Sequence, residues 1–187
     1  MFKTIYNDFR LSDRGLNMKI YIVGSVSSGK TTLASKLSKR LNIQYQSLDE
    51  VVHVPDKTNP WGNRKRQSEE RDRLFYSVIQ QPVWIIEDTG RPCFAEGLKA
   101  ADTILLLEIP PIIRNFRILK RWIRQRLGIE KCIYNPNFNM LKCMLRWSKD
   151  YDLGKDKLKE RISPYQEKVA ILKNNKDIRK YIEICTI

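Results

Sequence analysis

The chain has 187 residues, of which 42% are hydrophobic and 30% are charged, and its formal net charge is +14. This composition is typical of a globular protein long enough to bury a core, and it excludes collagen-like, low-complexity and disordered scaffolds. No apolar run approaches the ~18 residues of a membrane span, so we expect no membrane partner. Four cysteines without a C-x-x-C pair and a single histidine argue against a zinc site.

The beginning of the chain differs from the rest. Residues 1–17 carry charges and no apolar signal core, and they precede the first clear strand pattern. We therefore expect this segment to be a flexible extension of a domain that spans residues 18–187. Without a secretory signal, we also expect reduced thiols and a cytoplasmic location.

The predicted elements alternate between strands and helices after Met18. Short apolar runs predict buried strands, whereas repeated leucines at a spacing of four and acidic starts predict helices. In chain order we predict a strand at 20–23, a helix at 30–41, a strand at 44–48, a helix from 68 to about 81, strands at 83–86 and 103–107, a helix at 112–126, one or two helices between 140 and 167, a strand at 169–172 and a helix at 176–184. Such alternation indicates an α/β domain with a parallel sheet.

A phosphate-binding motif follows the first predicted strand. The segment from Gly24 to Thr31 matches G-x-x-x-x-G-K-[ST] completely and opens a predicted helix. Glycines let the backbone approach a phosphate, successive N–H groups surround it, and the helix N-terminus adds partial positive charge. Lys30 is predicted to reach the β- and γ-phosphates of ATP, and the Thr31 hydroxyl to bind Mg²⁺. The predicted nucleotide-binding residues are Gly24, Ser25, Ser27, Ser28, Gly29, Lys30, Thr31 and Thr32.

A magnesium ion bound to a nucleotide usually needs a carboxylate at the end of a neighbouring strand. Glu87 follows the strand at 83–86 and is the best candidate, with Asp88 beside it. Glu108, after the next strand, is a weaker one. An acidic residue at a strand end is also typical of a simple turn, and that alternative remains open for all three.

Four arginines form a stripe along the helix at 112–126. Arg114, Arg117, Arg121 and Arg124 are spaced three, four and three residues apart, and no acidic residue interrupts them. Guanidinium groups suit bidentate phosphate contacts, although a solvated surface is the ordinary alternative. On the opposite face, we expect four apolar residues to pack against the domain: Ile112, Phe116, Leu119 and Ile123.

At this point the sequence resembles the adenylate-kinase-like branch of P-loop kinases. The residues that carry this resemblance are the phosphate loop, the Glu87-x-x-x-Arg91 pattern, and Pro110 followed by Arg117 and Arg121. The stretch from Met18 to about Ile184 is more closely similar to the small bacterial topology modulation proteins. Asp88 and Thr89 depart from this pattern, since relatives often have small residues there.

The resemblance implies a fold, an activity and roles for individual residues. The fold would be a three-layer P-loop domain with a five-stranded parallel sheet and a helical basic lid at about 111–165. The activity would be Mg-ATP-dependent phosphoryl transfer to a small acceptor. Glu87 would lie near the magnesium ion and Arg91 would bind the acceptor. Charge on the moving phosphate would be neutralised by Lys30, Arg117, Arg121 and Arg124.

The kind of acceptor stays open between two possibilities. Asp49 follows the second predicted strand and suits a hydroxyl acceptor, whose proton a carboxylate can take or orient. Arg91 and the pair Arg64 and Arg66 favour an anionic acceptor instead. A nucleoside, a nucleotide or a related metabolite fits either reading, with Asp49, Arg66 and Arg91 as the predicted substrate-binding residues.

An alternative function belongs to a different class. From Pro110 to Ile187 the chain has 19 basic and 8 acidic residues, a net charge of +11. This half is compatible with an ATP-binding regulator that affects DNA topology or binds nucleic acid. Aromatic residues such as Trp122, Tyr134 and Trp147 lie between the basic ones and are either base-stacking groups or ordinary packing.

Overall fold

The computed structural model describes residues 18–132 and 134–185, so the proposed extension at 1–17 lies outside the described residues. The elements of the first half are β1 (Lys19–Gly24), α1 (Lys30–Leu41), β2 (Tyr45–Ser47), α2 (Leu48–Val52), β3 (His53–Pro55), β4 (Asn63–Lys65), α3 (Ser68–Ile79) and β5 (Trp84–Asp88). The second half contains α4 (Ala95–Ala100), β6 (Thr103–Leu107), α5 (Pro111–Arg126), α6 (Phe138–Asp152), α7 (Leu158–Ile162), β7 (Val169–Leu172) and α8 (Asn175–Ile184). Short 3₁₀ turns at Pro92–Phe94 and Ser163–Lys168 precede α4 and β7.

Five strands form one parallel sheet in the order β2-β5-β1-β6-β7. The sheet is buried on both faces, which explains why β5 and β6 read as continuous apolar runs. The α/β fold with a five-stranded parallel sheet is confirmed. Because all strands run the same way, the carboxyl ends of β1, β2 and β5 meet at one edge, where Gly24, Ser47 and Glu87 lie.

Two hydrophobic cores fill the spaces between the sheet and its helices. On one face, Leu33 and Leu37 of α1 pack with Ile22 of β1 and with Tyr181 of α8. The opposite face packs against α2, α3, α4 and α7. The structure therefore has three layers, with helices on both sides of the sheet.

Four short elements were not predicted from the sequence. The helix α2 buries Leu48, Val51 and Val52 but is too short to show a helical period. Residues 53–65, for which no element was predicted, contain an antiparallel hairpin of two three-residue strands, β3 and β4. The fourth element is the short helix α4.

The predicted orientation of α5 is wrong. Its apolar face is exposed to solvent: the exposed fractions are 83% for Ile112 and 66% for Phe116, and Leu119 and Ile123 are also exposed. Arg114 is fully buried instead, and its Nη2 donates to Asp152 Oδ1 at 2.5 Å. The guanidinium also lies over the Tyr151 ring, 5.0 Å from the ring centroid. Partners on α6 thus decide which face of α5 packs.

The helical region after β6 has a small core of its own. Ile118 of α5 packs with Met140, Leu141 and Met144 of α6. Farther along the chain, Leu158 and Ile162 of α7 are buried in the core of the sheet. The predicted lid at about 111–165 therefore includes a C-terminal part that belongs structurally to the central domain.

Within the described residues, we find no helix with both the length and the apolar character needed to cross a bilayer.

Candidate active site

The phosphate loop leaves β1 at Gly24 and enters α1 at Lys30. Gly24 and Gly29 have φ angles of 151° and 103°, which favour glycine, and Ser27 has a φ of 56°. A Cβ at Gly24 would lie 2.8 Å from the carbonyl oxygen of Leu107, so this glycine also lets β1 and β6 approach each other. The loop therefore requires glycine at the positions that the motif predicts.

The interior of this loop holds polar groups that lack partners. The hydroxyl oxygens of Ser25, Ser27 and Ser28 are buried and have no hydrogen-bond partner within the described part of the chain. Lys30 is buried, and its Nζ donates to the carbonyl oxygens of Gly24 at 3.0 Å and Ser25 at 2.8 Å. Burial lowers the pKa of Lys30, although Glu87 opposes this effect. Such donors fit an anion in the loop, because a phosphate would supply the acceptors and the negative charge they lack.

Glu87 of β5 contacts both the end of β2 and the start of α1. Its carboxylate is buried, and Oε1 accepts hydrogen bonds from Thr31 Oγ1 at 3.1 Å and from Ser47 Oγ at 2.6 Å. The pairing of Ser47 with Glu87 across β2 and β5 produces this contact. Hydroxyl and carboxylate oxygens are the ligand types that Mg²⁺ prefers.

No group of three or more His, Cys, Asp or Glu side chains suited to a metal ion occurs in the part of the chain that the structure describes. Magnesium is usually held by one or two carboxylates together with substrate phosphates. The oxygens of Thr31 and Glu87 beside the phosphate loop fit that mode of binding.

Next to Glu87, a second carboxylate holds an arginine. Asp88 is buried, and its Oδ2 accepts hydrogen bonds from the backbone N–H groups of Gly90 at 2.7 Å and Arg91 at 2.6 Å. The Arg91 guanidinium pairs with both Asp88 and Asp49. Partial burial of Asp49 opposes ionisation, but the neighbouring Arg91 outweighs it and lowers the pKa of this carboxyl. The cluster of Asp49, Asp88 and Arg91 thus carries a net charge of −1 at neutral pH.

A cavity of about 1030 Å³ lies above this edge of the sheet. Thr31 and Glu87 line it together with Asp49 and Arg91, so the predicted phosphate and acceptor sites share one space. The cavity is large enough for a small-molecule acceptor. Aromatic and sulfur-containing side chains also line this cavity: Trp61, Tyr134, Met140, Cys143, Met144 and Trp147.

The hairpin touches the segment that leads into α6, beside this cavity. The backbone N–H of Asn135 donates to the carbonyl oxygen of Trp61 at 2.8 Å. A Cβ at Gly62 would lie 2.9 Å from the Asn135 nitrogen, and the φ of Gly62 is 76°. This contact requires glycine in the turn and joins the hairpin to the segment that leads into α6.

A smaller cavity of about 300 Å³ lies between α5 and the start of α8. Ile113 and Arg117 of α5 line it, opposite Asn174, Asn175 and Lys176 at the start of α8. The Arg117 Nη1 donates to the carbonyl oxygen of Ser28 at 2.9 Å, so this cavity is adjacent to the phosphate loop.

The predicted arginines have different surroundings. Arg117 contacts the phosphate loop, and Arg121 lines the large cavity while its Nε donates to Glu130 at 3.0 Å. Arg124 pairs with Glu130 at 3.5 Å and lines neither cavity. Arg66 donates to the carbonyl oxygen of Val51 at 3.1 Å and also pairs with Glu70, outside both cavities.

Two other charged candidates lie in different places. Arg64 lines the large cavity. Glu108, the weaker metal candidate, pairs with Lys159 at 2.5 Å. Thr32 is exposed at the start of α1.

Several residues of the site were missed or interpreted differently from the sequence. Ser47 has no sequence signal, because its contact with Glu87 arises from strand pairing. The i,i+3 spacing of Asp88 and Arg91 is a signal for the ion pair, yet the two were interpreted separately. The sequence indicates either packing or nucleic-acid stacking for Tyr134 and Trp147. In the structure, both residues line the large cavity.

Comparison with known proteins shows the fold. No family model and no curated protein matches the chain. Shikimate kinase from Acinetobacter baumannii, solved in complex with shikimate, is 19% identical, with 89% of each chain covered and a TM-score of 0.53. Shikimate kinase from Bacteroides thetaiotaomicron is 16% identical, with 89% of this chain and 94% of that chain covered and a TM-score of 0.51. An uncharacterized protein from Eubacterium ventriosum is 13% identical, with 90% and 95% covered and a TM-score of 0.51.

The chain therefore has the three-layer α/β fold found in P-loop kinases of known structure. This likeness agrees with the broad resemblance to nucleotide-kinase-like P-loop proteins. The closer similarity to topology modulation proteins is not confirmed by any of the comparisons.

Proposed function

We propose that this protein is a kinase that transfers the γ-phosphoryl group of Mg-ATP to a hydroxyl group of a small acceptor. One observation carries the proposal: Thr31 and Glu87, beside the phosphate loop, line the same cavity as Asp49 and Arg91. A nucleotide held by the loop would direct its terminal phosphate into this cavity, close to an acceptor bound by the cluster. In the reaction, a bond forms between the acceptor oxygen and the γ-phosphorus, the bond between that phosphorus and the leaving oxygen of ADP breaks, and Asp49 accepts the proton of the hydroxyl group.

The charge of the cluster favours a hydroxyl over an anionic acceptor at this position. Arg91 is already paired with two carboxylates, so it has little charge left for a phosphate or carboxylate group. Asp49 remains ionised, since its pKa is lowered. An ionised carboxylate accepts hydrogen bonds and can orient a hydroxyl group for attack.

The remaining groups suit the other parts of the reaction. Bound Mg²⁺ would supply charge neutralisation for the phosphates, with Thr31 and Glu87 as the protein groups that hold it. Lys30 and the backbone N–H groups of the loop offset the negative charge that shifts during transfer. Arg121 adds a cation to the lining of the cavity.

The smaller cavity suits the base of the nucleotide. It is adjacent to the phosphate loop and combines the apolar Ile113 with the polar side chains of Asn174 and Asn175. A planar base needs both kinds of contact, an apolar surface and a few polar groups that fix its orientation. We propose that ATP binds with its base between α5 and the start of α8.

Phosphoryl transfer is tested by measuring ADP release from Mg-ATP with nucleosides, nucleotides and hydroxylated metabolites as acceptors. We expect ADP release to rise with an acceptor that presents a free hydroxyl group. In the Asp49→Asn variant, kcat for that acceptor should fall about 10²-fold or more, the usual scale of general-base assistance. The Glu96→Gln variant is the control, because this exposed glutamate lines neither cavity.

Two results would contradict this assignment. Transfer to a phosphate or carboxylate group of the acceptor is one. The other is an unchanged kcat in Asp49→Asn combined with a large loss in a folded Arg91→Ala variant.

A further inference from the structure

An apolar surface runs along α5 on the side away from the domain. We call it the apolar stripe; its residues recur at spacings of three and four and so share one face of the helix. All five are exposed, from 83% for Ile112 to 44% for Ile123. The apolar stripe consists of Ile112, Phe116, Leu119, Ile123 and Leu127. It takes no part in the proposed kinase site, because none of these residues lines either cavity.

Positive charges border the apolar stripe on both sides. At 100° per residue, Lys120 and Arg124 lie on one side of the apolar stripe and Arg126 on the other, and all three are exposed. No acidic residue occurs within the sixteen residues of α5. The solvent-exposed face of α5 is therefore apolar in the centre and cationic along both edges.

The size of this surface argues against a second copy of the chain as its occupant. A helix of 16 residues is about 24 Å long and about 10 Å wide, so its outer face measures roughly 240 Å². A stable protein interface buries about 800 Å² on each partner. A second copy would also bring its own cationic edges close to those of the first.

A lipid surface has the complementary chemistry. Interfacial helices insert apolar side chains into the boundary of the acyl chains and keep lysines and arginines at the level of the headgroups. Anionic headgroups attract those cations, each by about 1 kcal/mol near the surface. From the apolar stripe and its cationic edges, we infer that α5 is a docking helix for the surface of an anionic membrane. This inference revises the expectation of no membrane partner and does not depend on the proposed kinase activity.

Docking by this face would leave the large cavity accessible. The buried residues of α5, which include Arg114, Ile118 and Gln125, lie on the opposite side of the helix, toward α6. Arg121 lies beside these buried residues, away from the apolar stripe, and lines the large cavity. The docking face and the cavity face are therefore separate sides of one helix.

The test is flotation of the full chain with two kinds of vesicle, one of phosphatidylcholine alone and one equimolar in phosphatidylcholine and phosphatidylglycerol. We expect binding to the mixed vesicles and little binding to the neutral ones. The variant Ile112→Ser/Phe116→Ser should lower the partition coefficient at least tenfold, because two exposed apolar side chains no longer insert. The matched control is Leu145→Ser/Leu153→Ser, which removes one exposed leucine of α6 and one directly after it, both outside the apolar stripe.

A second variant tests the charges. Lys120→Gln/Arg126→Gln should reduce binding to the mixed vesicles by about fivefold for each cation removed and hardly change binding to the neutral ones. Circular dichroism checks that each variant remains folded, as expected for changes at exposed positions.

Several results would overturn the membrane assignment. The first is the absence of vesicle binding by the wild type. The second is equal binding by the wild type and Ile112→Ser/Phe116→Ser. The third is an equal loss of binding in Ile112→Ser/Phe116→Ser and in the control Leu145→Ser/Leu153→Ser. Sedimentation equilibrium would also overturn it by showing a dimer that Ile112→Ser/Phe116→Ser dissociates, since the apolar stripe would then be covered by a second copy. Tight binding to duplex DNA that competes with the vesicles would assign the same helix to nucleic acid instead.

Discussion

At the scale of single residues, the most informative group is Arg91. It pairs with Asp88 and Asp49, which lie three residues and 42 residues away along the chain. Asp88 is buried, and burying a carboxylate is unfavourable unless a cation and hydrogen bonds compensate it. Arg91 therefore has a structural role as well as its proposed role beside the acceptor.

This structural role predicts a loss of stability in Arg91→Gln. The variant leaves the buried Asp88 without its cation, so we expect the free energy of unfolding to fall by about 3 kcal/mol, measured by urea denaturation at pH 7. The double variant Arg91→Gln/Asp88→Asn removes both charges and should recover part of that loss. Equal stability of Arg91→Gln and the wild type would show that Asp88 does not depend on Arg91.

The same pair predicts a shift in the pH dependence of activity. Arg91 lowers the pKa of Asp49, so in the wild type Asp49 loses its charge only at a pH below the ordinary pKa of an aspartate. In folded Arg91→Gln the pKa of Asp49 should rise, and the acidic limb of the profile of kcat against pH should therefore move to higher pH. A limb that moves to lower pH, or does not move, would contradict the role of Arg91.

The sequence predicts which residues belong to this site, but it does not predict which side chains contact each other. The motif identifies the phosphate loop because each position has a chemical reason that does not depend on the rest of the fold. Glu87 lies near the end of β5, and Asp49 lies in α2 two residues after the end of β2. Parallel strands bring their carboxyl ends together, so both positions were predictable. The contact of Ser47 with Glu87 and the pairing of Arg91 with Asp49 depend on side-chain positions, which spacing does not reveal.

At the scale of elements, α5 shows where pattern analysis is wrong. The helix has an apolar face and a basic face, and periodicity separates these faces but does not say which of them packs. The choice of Arg114 as the buried residue depends on Asp152, Ser148 and Tyr151, all on α6 and more than thirty residues later. The general rule that apolar residues are buried therefore predicts the wrong face of α5 as the packed one.

Arg114 gives a prediction for the packing of α5 against α6. Its Nε and Nη1 are buried and have no hydrogen-bond partner among the described residues. Removing these two donors from water without a partner lowers the stability that the residue contributes. Arg114→Ala leaves a cavity and should lower the free energy of unfolding by about 3 kcal/mol.

The matched variant is Arg114→Met, which keeps most of the side-chain length against Tyr151. Its loss should be less than half of that for alanine, because Asp152 is partly exposed and tolerates the missing cation. Thermal and urea unfolding measure both variants. A larger loss for methionine than for alanine would show that the charge of Arg114, and not its volume, holds the two helices together.

At the scale of the whole molecule, the parallel sheet was predictable and the hairpin was not. The apolar runs at 84–86 in β5 and 104–107 in β6 are strong signals because both faces of these strands are buried. The strands β3 and β4 have three residues each and are partly exposed, so no alternation marks them. The turn of the hairpin also accepts a hydrogen bond, at the carbonyl oxygen of Trp61, from the backbone of Asn135, which lies more than sixty residues later in the chain.

The proposed kinase activity requires that the phosphate loop bind a nucleotide. Isothermal titration calorimetry with ATP and Mg²⁺ measures this binding without knowledge of the acceptor. We predict that the wild type binds ATP and that Lys30→Ala weakens the affinity about 10- to 100-fold, since a charge-assisted contact with the phosphates is lost. The control Lys36→Ala, on the exposed side of the same helix, should bind like the wild type. No binding of ATP by the wild type, or equal affinity in Lys30→Ala, would contradict the account.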